Sequence, residues 1–169
     1  MQENKAVLVA KDVLKRLRYL NVSTNIYLKG VLEKALPKNE DLKEHVAEVQ
    51  KKCQVCALGA CLLSKARLYD KVPLSSIGSL EGEDGYWKIY AGCDSSTRIF
   101  TLLKDVFDLN SLSLMETAFE GIAYHWNYER SLGSDLNIAS TWFKEYPDPK
   151  ERLKKIMQNV VRNSGKFVP

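Results

Sequence analysis

Hydrophobic positions along this chain recur mostly at three- and four-residue steps, the spacing of one helical face. Ala6, Ala10, Val13, Leu14, Leu17 and Leu20 fall on one stripe and predict a first amphipathic helix of about five turns. Over residues 22–30 the period changes. Thr24, Ile26 and Leu28 alternate there, which predicts a short strand ending at Gly30. Pro37 closes the following segment, and Asn39 is the expected cap of a long helix. Leu42, Val46, Val49, Cys53, Cys56, Ala60, Leu63 and Arg67 hold one phase through that helix. Its first half is amphipathic, with Lys43, Glu44, Glu48, Lys51 and Lys52 outward. Residues 55–63 are apolar almost all round, which places them at the centre of the domain.

Beyond that point the signals are shorter. Residues 73–85 hold Ser75, Ser76, Gly78, Ser79, Gly82 and Gly85 and read as a loop. Tyr86-Trp87-Lys88-Ile89-Tyr90 has strand composition and is expected to pair with residues 23–28. Asp94-Ser95-Ser96 would cap a helix running to about Phe107, and Ser113-Leu114-Met115-Glu116 has the capping-box pattern of the next one. That helix would turn Phe119, Ile122, Ala123 and Trp126 inward. A short helix over 136–146 follows. Asp148-Pro149-Lys150-Glu151 then opens a last helix that presents Leu153, Ile156, Met157, Val160 and Val161 and stops near Gly165. The expected architecture is mainly α. It is a single globular domain over 1–169, a helical bundle around a buried central helix at about 40–68, with a minor two-stranded β element.

Composition narrows this reading without redirecting it. A chain of 169 residues with 45% hydrophobic residues is long enough for one unstapled core. The net charge of +4 is mild, and the basic excess sits at the two ends. Lys5, Lys11, Lys15, Arg16 and Arg18 face only Glu3 and Asp12 in the first helix, and the last is similarly biased. A shared basic face would attract an anion, a nucleic acid or an acidic protein. No apolar leader region opens the chain, and no apolar run is long enough to cross a bilayer, so a cytoplasmic protein with reduced thiols is expected.

Candidate chemistry is sparse. Cys53-x2-Cys56 is a metal half-motif, with Cys61, Cys93, His45 and His125 as the residues that could complete it. On one continuous helix, however, Cys56 and Cys61 would lie about 140° apart, beyond the reach of one ion. Small size for close helix contact explains Cys56, Ala57, Gly59, Ala60 and Cys61 better, since buried cysteine behaves as a small hydrophobe. A redox pair would need a βαβ context that the chain lacks. Neither a Walker pattern nor a glycine-rich phosphate loop follows a strand. Asp94-Ser95-Ser96-Thr97-Arg98 is a weak anion site that reads equally as an ordinary cap. The densest polar-aromatic cluster is Tyr124, His125, Tyr128 and Arg130 with Trp142 and Tyr146, and with Trp87 it forms the candidate binding surface. No catalytic residue is assigned there, because no group orients His125 as a base.

The segment Cys53-Gln54-Val55-Cys56-Ala57-Leu58-Gly59-Ala60, followed by Ser64 and Arg67-Leu68, forms part of a distinctive pattern. Leu114, Phe119 and Glu120 extend it, as does the ending Arg152-Leu153-x-x-Ile156-Met157-x-Asn159 through Asn163-x-Gly165-x-Phe167-Val168-Pro169. In these blocks the chain resembles small proteins of bacteriophages and prophages that have no assigned activity. The resemblance implies a non-catalytic accessory protein in the host cytoplasm, without cofactor. It would bind a host protein or a small anionic signalling ligand, plausibly in counter-defence, with a homo-oligomer open. Two alternatives stand beside it. One is a structural-zinc protein using Cys53, Cys56, Cys93 and His125. The other is a nucleic-acid binder using Lys150, Arg152, Lys154, Lys155 and Arg162, the less favoured partner class.

Overall fold

The computed structural model describes residues 4–32, 41–69, 72, 79–83, 86–92, 96–122 and 129–169; for 31–32, 79–83, 86–92, 96–97 and 129–131 it describes backbone alone. Within these, the order of elements is α1 (Lys5–Arg16), β1 (Asn21–Val22), β2 (Ile26–Leu32), α2 (Leu42–Lys52), β3 (Gln54–Val55) and α3 (Ala57–Leu68). Then come β4 (Ser79–Glu83), β5 (Tyr86–Gly92), α4 (Ser96–Leu103), α5 (Leu109–Glu120), α6 (Glu129–Glu145) and α7 (Pro149–Arg162). The class is mainly α with a small β element, as the periodicity indicates.

The long central helix is two helices. α2 is capped by Asp41 and ends at Cys53, whose backbone is extended; Gln54 and Val55 pair as strand before Cys56 caps α3. The apolar phase continues through the break because Val55 and both flanking cysteines are buried on either backbone geometry. Periodicity cannot separate a short buried strand from buried helix. This break also builds the sheet, which has five strands among the described residues, ordered β1-β3-β2-β5-β4, where the pattern predicts two. β3 pairs parallel with β1 and antiparallel with β2. The expected partnership of β2 with β5 is present and antiparallel, with Ile26 opposite Gly92 and Leu32 opposite Trp87. β4 lies inside the segment that reads as a loop and pairs with β5 as the outer strand.

α5 begins earlier than its sequence signal. Asp108 is the cap, its carboxylate accepting from the Ser111 N–H at 2.8 Å and from the Ser111 hydroxyl at 2.9 Å. Ser113 and Glu116, the expected capping box, lie buried inside the helix. The helix ends at Gly121, which takes the left-handed φ of 78° that a glycine cap supplies. Ile122 is consequently 58% exposed, not inward as its spacing indicates. Ala123 and Trp126, expected inward on the same face, lie outside the described residues, as do Asn39 and Asp94-Ser95. α6 starts at Glu129, earlier than expected, and kinks at Gly133. α7 opens as its signals require, with the Asp148 carboxylate accepting from the Glu151 N–H at 2.7 Å and proline in the first turn.

α3 sits at the middle, packed by α1, α2, α4, α5 and β2, while α1 also lies against α7. Every residue from Ala57 to Ser64 is buried. The cap of α1 meets the turn after α7, since the Asn4 side chain donates to the Ser164 carbonyl at 3.0 Å. Asn159 holds the last residues, donating to the Val168 carbonyl at 2.6 Å and accepting its N–H at 3.0 Å. That clamp drives Phe167 into the core against Trp142, ring centroids 5.0 Å apart. Both distinctive sequence segments, the cysteine run and the ending, are thus accounted for by packing.

Candidate functional site

Of the aromatic-polar surface, Tyr124, His125 and Tyr128 lie outside the described residues, as do the side chains of Arg130 and Trp87. Trp142 and Tyr146 are half-buried and stack edge to face, centroids 5.6 Å apart. Trp142 is the lid over Phe167, so its first role is to close the core. Arg152 is drawn inward rather than toward a phosphate. It is 1% exposed and donates to the carbonyls of Phe143 at 3.1 Å and Tyr146 at 2.7 Å, capping the end of α6. The basic face of α7 is therefore smaller than its composition indicates, and Glu151 pairs with Lys154 at 3.3 Å.

With the chain broken between α2 and α3, the angles of one continuous helix no longer hold the cysteines apart. Cys53, Cys56 and Cys61 are free and buried. Burial pushes the Cys61 thiol up to about 12. Burial, helped by Glu48, does the same for Cys53. Cys56 is raised by burial and then by Glu120. Burial thus favours the protonated thiol at all three, so none is a ready nucleophile. No group of three or more His, Cys, Asp or Glu among the described residues is placed to hold an ion. Cys93 and His125 lie outside those residues. Packing accounts for the described thiols, all three of which lie in the hydrophobic core. Cys56→Ala should then cost only about 1 kcal/mol, measured by urea unfolding. Loss of the fold, or of a bound metal, would restore the zinc reading.

A constellation that no local sequence pattern announces joins α1, α2 and α3. Asp12 accepts from the Ser64 hydroxyl at 2.8 Å, from Arg16 Nε at 3.1 Å, and from an Arg67 terminal nitrogen. The other terminal nitrogen of Arg67 donates to Gln50 Oε1 at 2.7 Å. Burial pulls the Arg67 guanidinium below its usual range, Asp12 draws it back up, and neighbouring Arg16 lowers it again. Two guanidiniums thus share one carboxylate, and two of the residues bonded in this cluster, Arg16 and Gln50, line an open pocket of about 380 Å³ together with Tyr19, Ala47 and Lys51. Ala47, Gln50 and Lys51 meet there because steps of three and four residues share a face of α2. The sequence carries one signal of it: Arg67 stands in phase with the buried stripe, and an inward arginine requires a partner.

A second polar centre lies in the core. Glu116 and Glu120, one turn apart on α5, are 3% and 7% exposed. The Tyr27 hydroxyl donates to Glu116, and the Asn25 N–H donates to Glu120 at 2.7 Å. Asn25 takes a positive φ of 66°, which asparagine tolerates. Burial pushes both carboxyls up to about 7, against the Tyr27 bond in one case and against Asn25 and Arg152 in the other. Two carboxyls thus sit one turn apart inside the packing, each biased by burial toward its protonated form.

The chain matches no family model, no curated protein and no solved structure. Among the described residues no helix is long and apolar enough to cross a membrane.

Proposed function

We propose that the protein is a non-catalytic accessory protein that works by binding, and that its ligand is a small anion taken up in the pocket between α1 and α2. One observation carries this reading: Arg16 and Lys51 line an open cavity whose lining holds no carboxylate, and the Asp12–Arg67 pair that contacts Arg16 and Gln50 cancels its own charge, leaving an excess of two positive charges. Asp12 already accepts from three donors and is spent as a base, and the described thiols are protonated, so binding accounts for the site better than catalysis. Between the two expected partners, a host protein and a small ligand, a concave site of this size favours the small ligand. The biological setting we propose, a phage or prophage product acting inside its host, rests on the resemblance in the cysteine run and the ending.

A thermal-shift panel of polyvalent anions (phosphate, sulfate, citrate, nucleotides) tests the binding step. At a hundred times its Kd a ligand adds about 2.7 kcal/mol, which raises Tm by roughly 5–11 °C for a domain of this size. Lys51→Glu should abolish the shift while leaving the Tm of the free protein in place, since Lys51 is exposed and ion-paired with none of the described residues. An unchanged shift in that variant would place the ligand elsewhere, and no shift with any anion would remove this reading.

A further inference from the structure

We infer that the pocket is built for a nucleoside monophosphate, its phosphate held by Arg16 and Lys51 and its ring lying toward Tyr19; this rests on the anion-binding reading above.

The charge count favours a dianion. Arg16 and Lys51 are the two cations of the lining, the Asp12–Arg67 pair beside them being neutral, and two charges match a terminal phosphate ester near neutrality better than a carboxylate or a phosphodiester, each singly charged. The donor geometry favours phosphate too. Arg16 meets Asp12 through Nε alone, which leaves its two terminal nitrogens as a fork for paired oxygens. Lys51 supplies a second, freely rotating donor from α2, where Arg16 comes from α1.

The walls also carry features that a bare inorganic anion would not use. Tyr19 is 55% exposed, and the Arg18 guanidinium stacks over its ring at 4.5 Å. A planar base can join that stack, as bases do on aromatic and guanidinium faces. Gln50 is buried, and its Oε1 is fixed as an acceptor by Arg67, so its amide nitrogen is left as the donor for a base or sugar oxygen. Because Arg67, Asp12 and Ser64 tie three helices beneath the cavity, these groups are positioned before a ligand arrives. A volume of about 380 Å³ lies at the small end of ligand pockets, suited to one nucleotide rather than a polymer.

Isothermal titration of the full chain tests this with adenosine, cytidine, guanosine and uridine 5′-monophosphates, the matching nucleosides, and inorganic phosphate. At least one monophosphate is expected to bind more tightly than phosphate, and its nucleoside not to bind detectably. Arg16→Ala and Lys51→Glu should each weaken the monophosphate by about ten- to a hundredfold. Tyr19→Ala should bring the affinity ratio of monophosphate to phosphate toward one. Circular dichroism confirms folding of each variant, and Lys51→Glu, at an exposed position, keeps the test decisive if Arg16→Ala unfolds. Equal binding of monophosphate and nucleoside, or a ratio untouched by Tyr19→Ala, overturns the nucleotide assignment. Citrate or sulfate binding without any monophosphate binding overturns it while leaving the anion reading intact. No binding by any of these anions removes both.

Discussion

Gly59→Ala is expected to destabilise the fold by about 3 kcal/mol or more, out of the roughly 5–15 kcal/mol that holds a domain together. Ordinary helix propensity argues the other way, since alanine within a helix is favoured over glycine by about 1 kcal/mol. Sterics decide the sign. A β-carbon on Gly59 would overlap the Tyr27 carbonyl oxygen and crowd the carbon behind it. That same carbonyl accepts the Cys56 N–H at 3.3 Å, so β2 lies directly across the opening turn of α3. Backbone cannot step aside as a side chain can. Moving β2 would also shift the Tyr27 hydroxyl from Glu116, leaving a buried carboxyl without its donor. Chemical denaturation of the variant against the parent measures the cost. A Cm unchanged within error would mean that strand and helix do not approach as closely as described. Gly59→Ala therefore tests the most specific feature of the core.

That contact also marks how much of the fold is legible in the sequence. Signals that are local in sequence are readable: the Asp148 cap with its proline, the aromatic run of β5, and the burial of residues 57–63; the strand expected over 22–30 is instead split into β1 and β2, runs past Gly30, and buries the adjacent Tyr27 and Leu28. What escapes is set by partners distant in sequence. Gln54 and Val55 are strand because Asn21, Val22, Leu28 and Lys29 lie beside them, and nothing within the apolar run announces those partners. Ser113-x-x-Glu116 satisfies a capping pattern, yet Asp108 wins the cap and the core takes Glu116 because Tyr27 is there to meet it. The pocket is hidden in the same way. Asp12, Gln50, Ser64 and Arg67 come from three helices, and all but Arg67, which stands in phase with the buried stripe, read alone as ordinary surface or packing. The aromatic surface around His125 rests on sequence density alone. Its members that can be placed, Trp142 and Tyr146, pack on the chain ending and on the Arg152 cap.

Stability should fall as pH rises from about 4.5 through 7, the opposite of the trend produced by salt-bridged carboxylates. In the unfolded chain Glu116 and Glu120 would lose their protons near about 4.3. Burial in the fold moves both up to about 7. Between those values the folded protein keeps protons that the unfolded chain has released, so each unit of rising pH favours unfolding. The stabilisation is whole below the unfolded value and is lost as pH passes through the folded one. A shift of this size corresponds to about 3 kcal/mol for each group. The groups facing the pair set the detail. Tyr27 and the Asn25 N–H favour the ionised forms, Arg152 favours it at Glu120, and the second carboxylate opposes it at Glu116. Glu116→Gln retains an acceptor for Tyr27 and removes one titration, so it should flatten the dependence and raise stability at about pH 8 relative to the parent. Urea unfolding at about pH 5, 6.5 and 8 reads both effects. A parent whose stability is level or rising across that range would show that other carboxylates outweigh this pair, and a Gln variant with the parent's slope would show that Glu116 is already ionised in the fold.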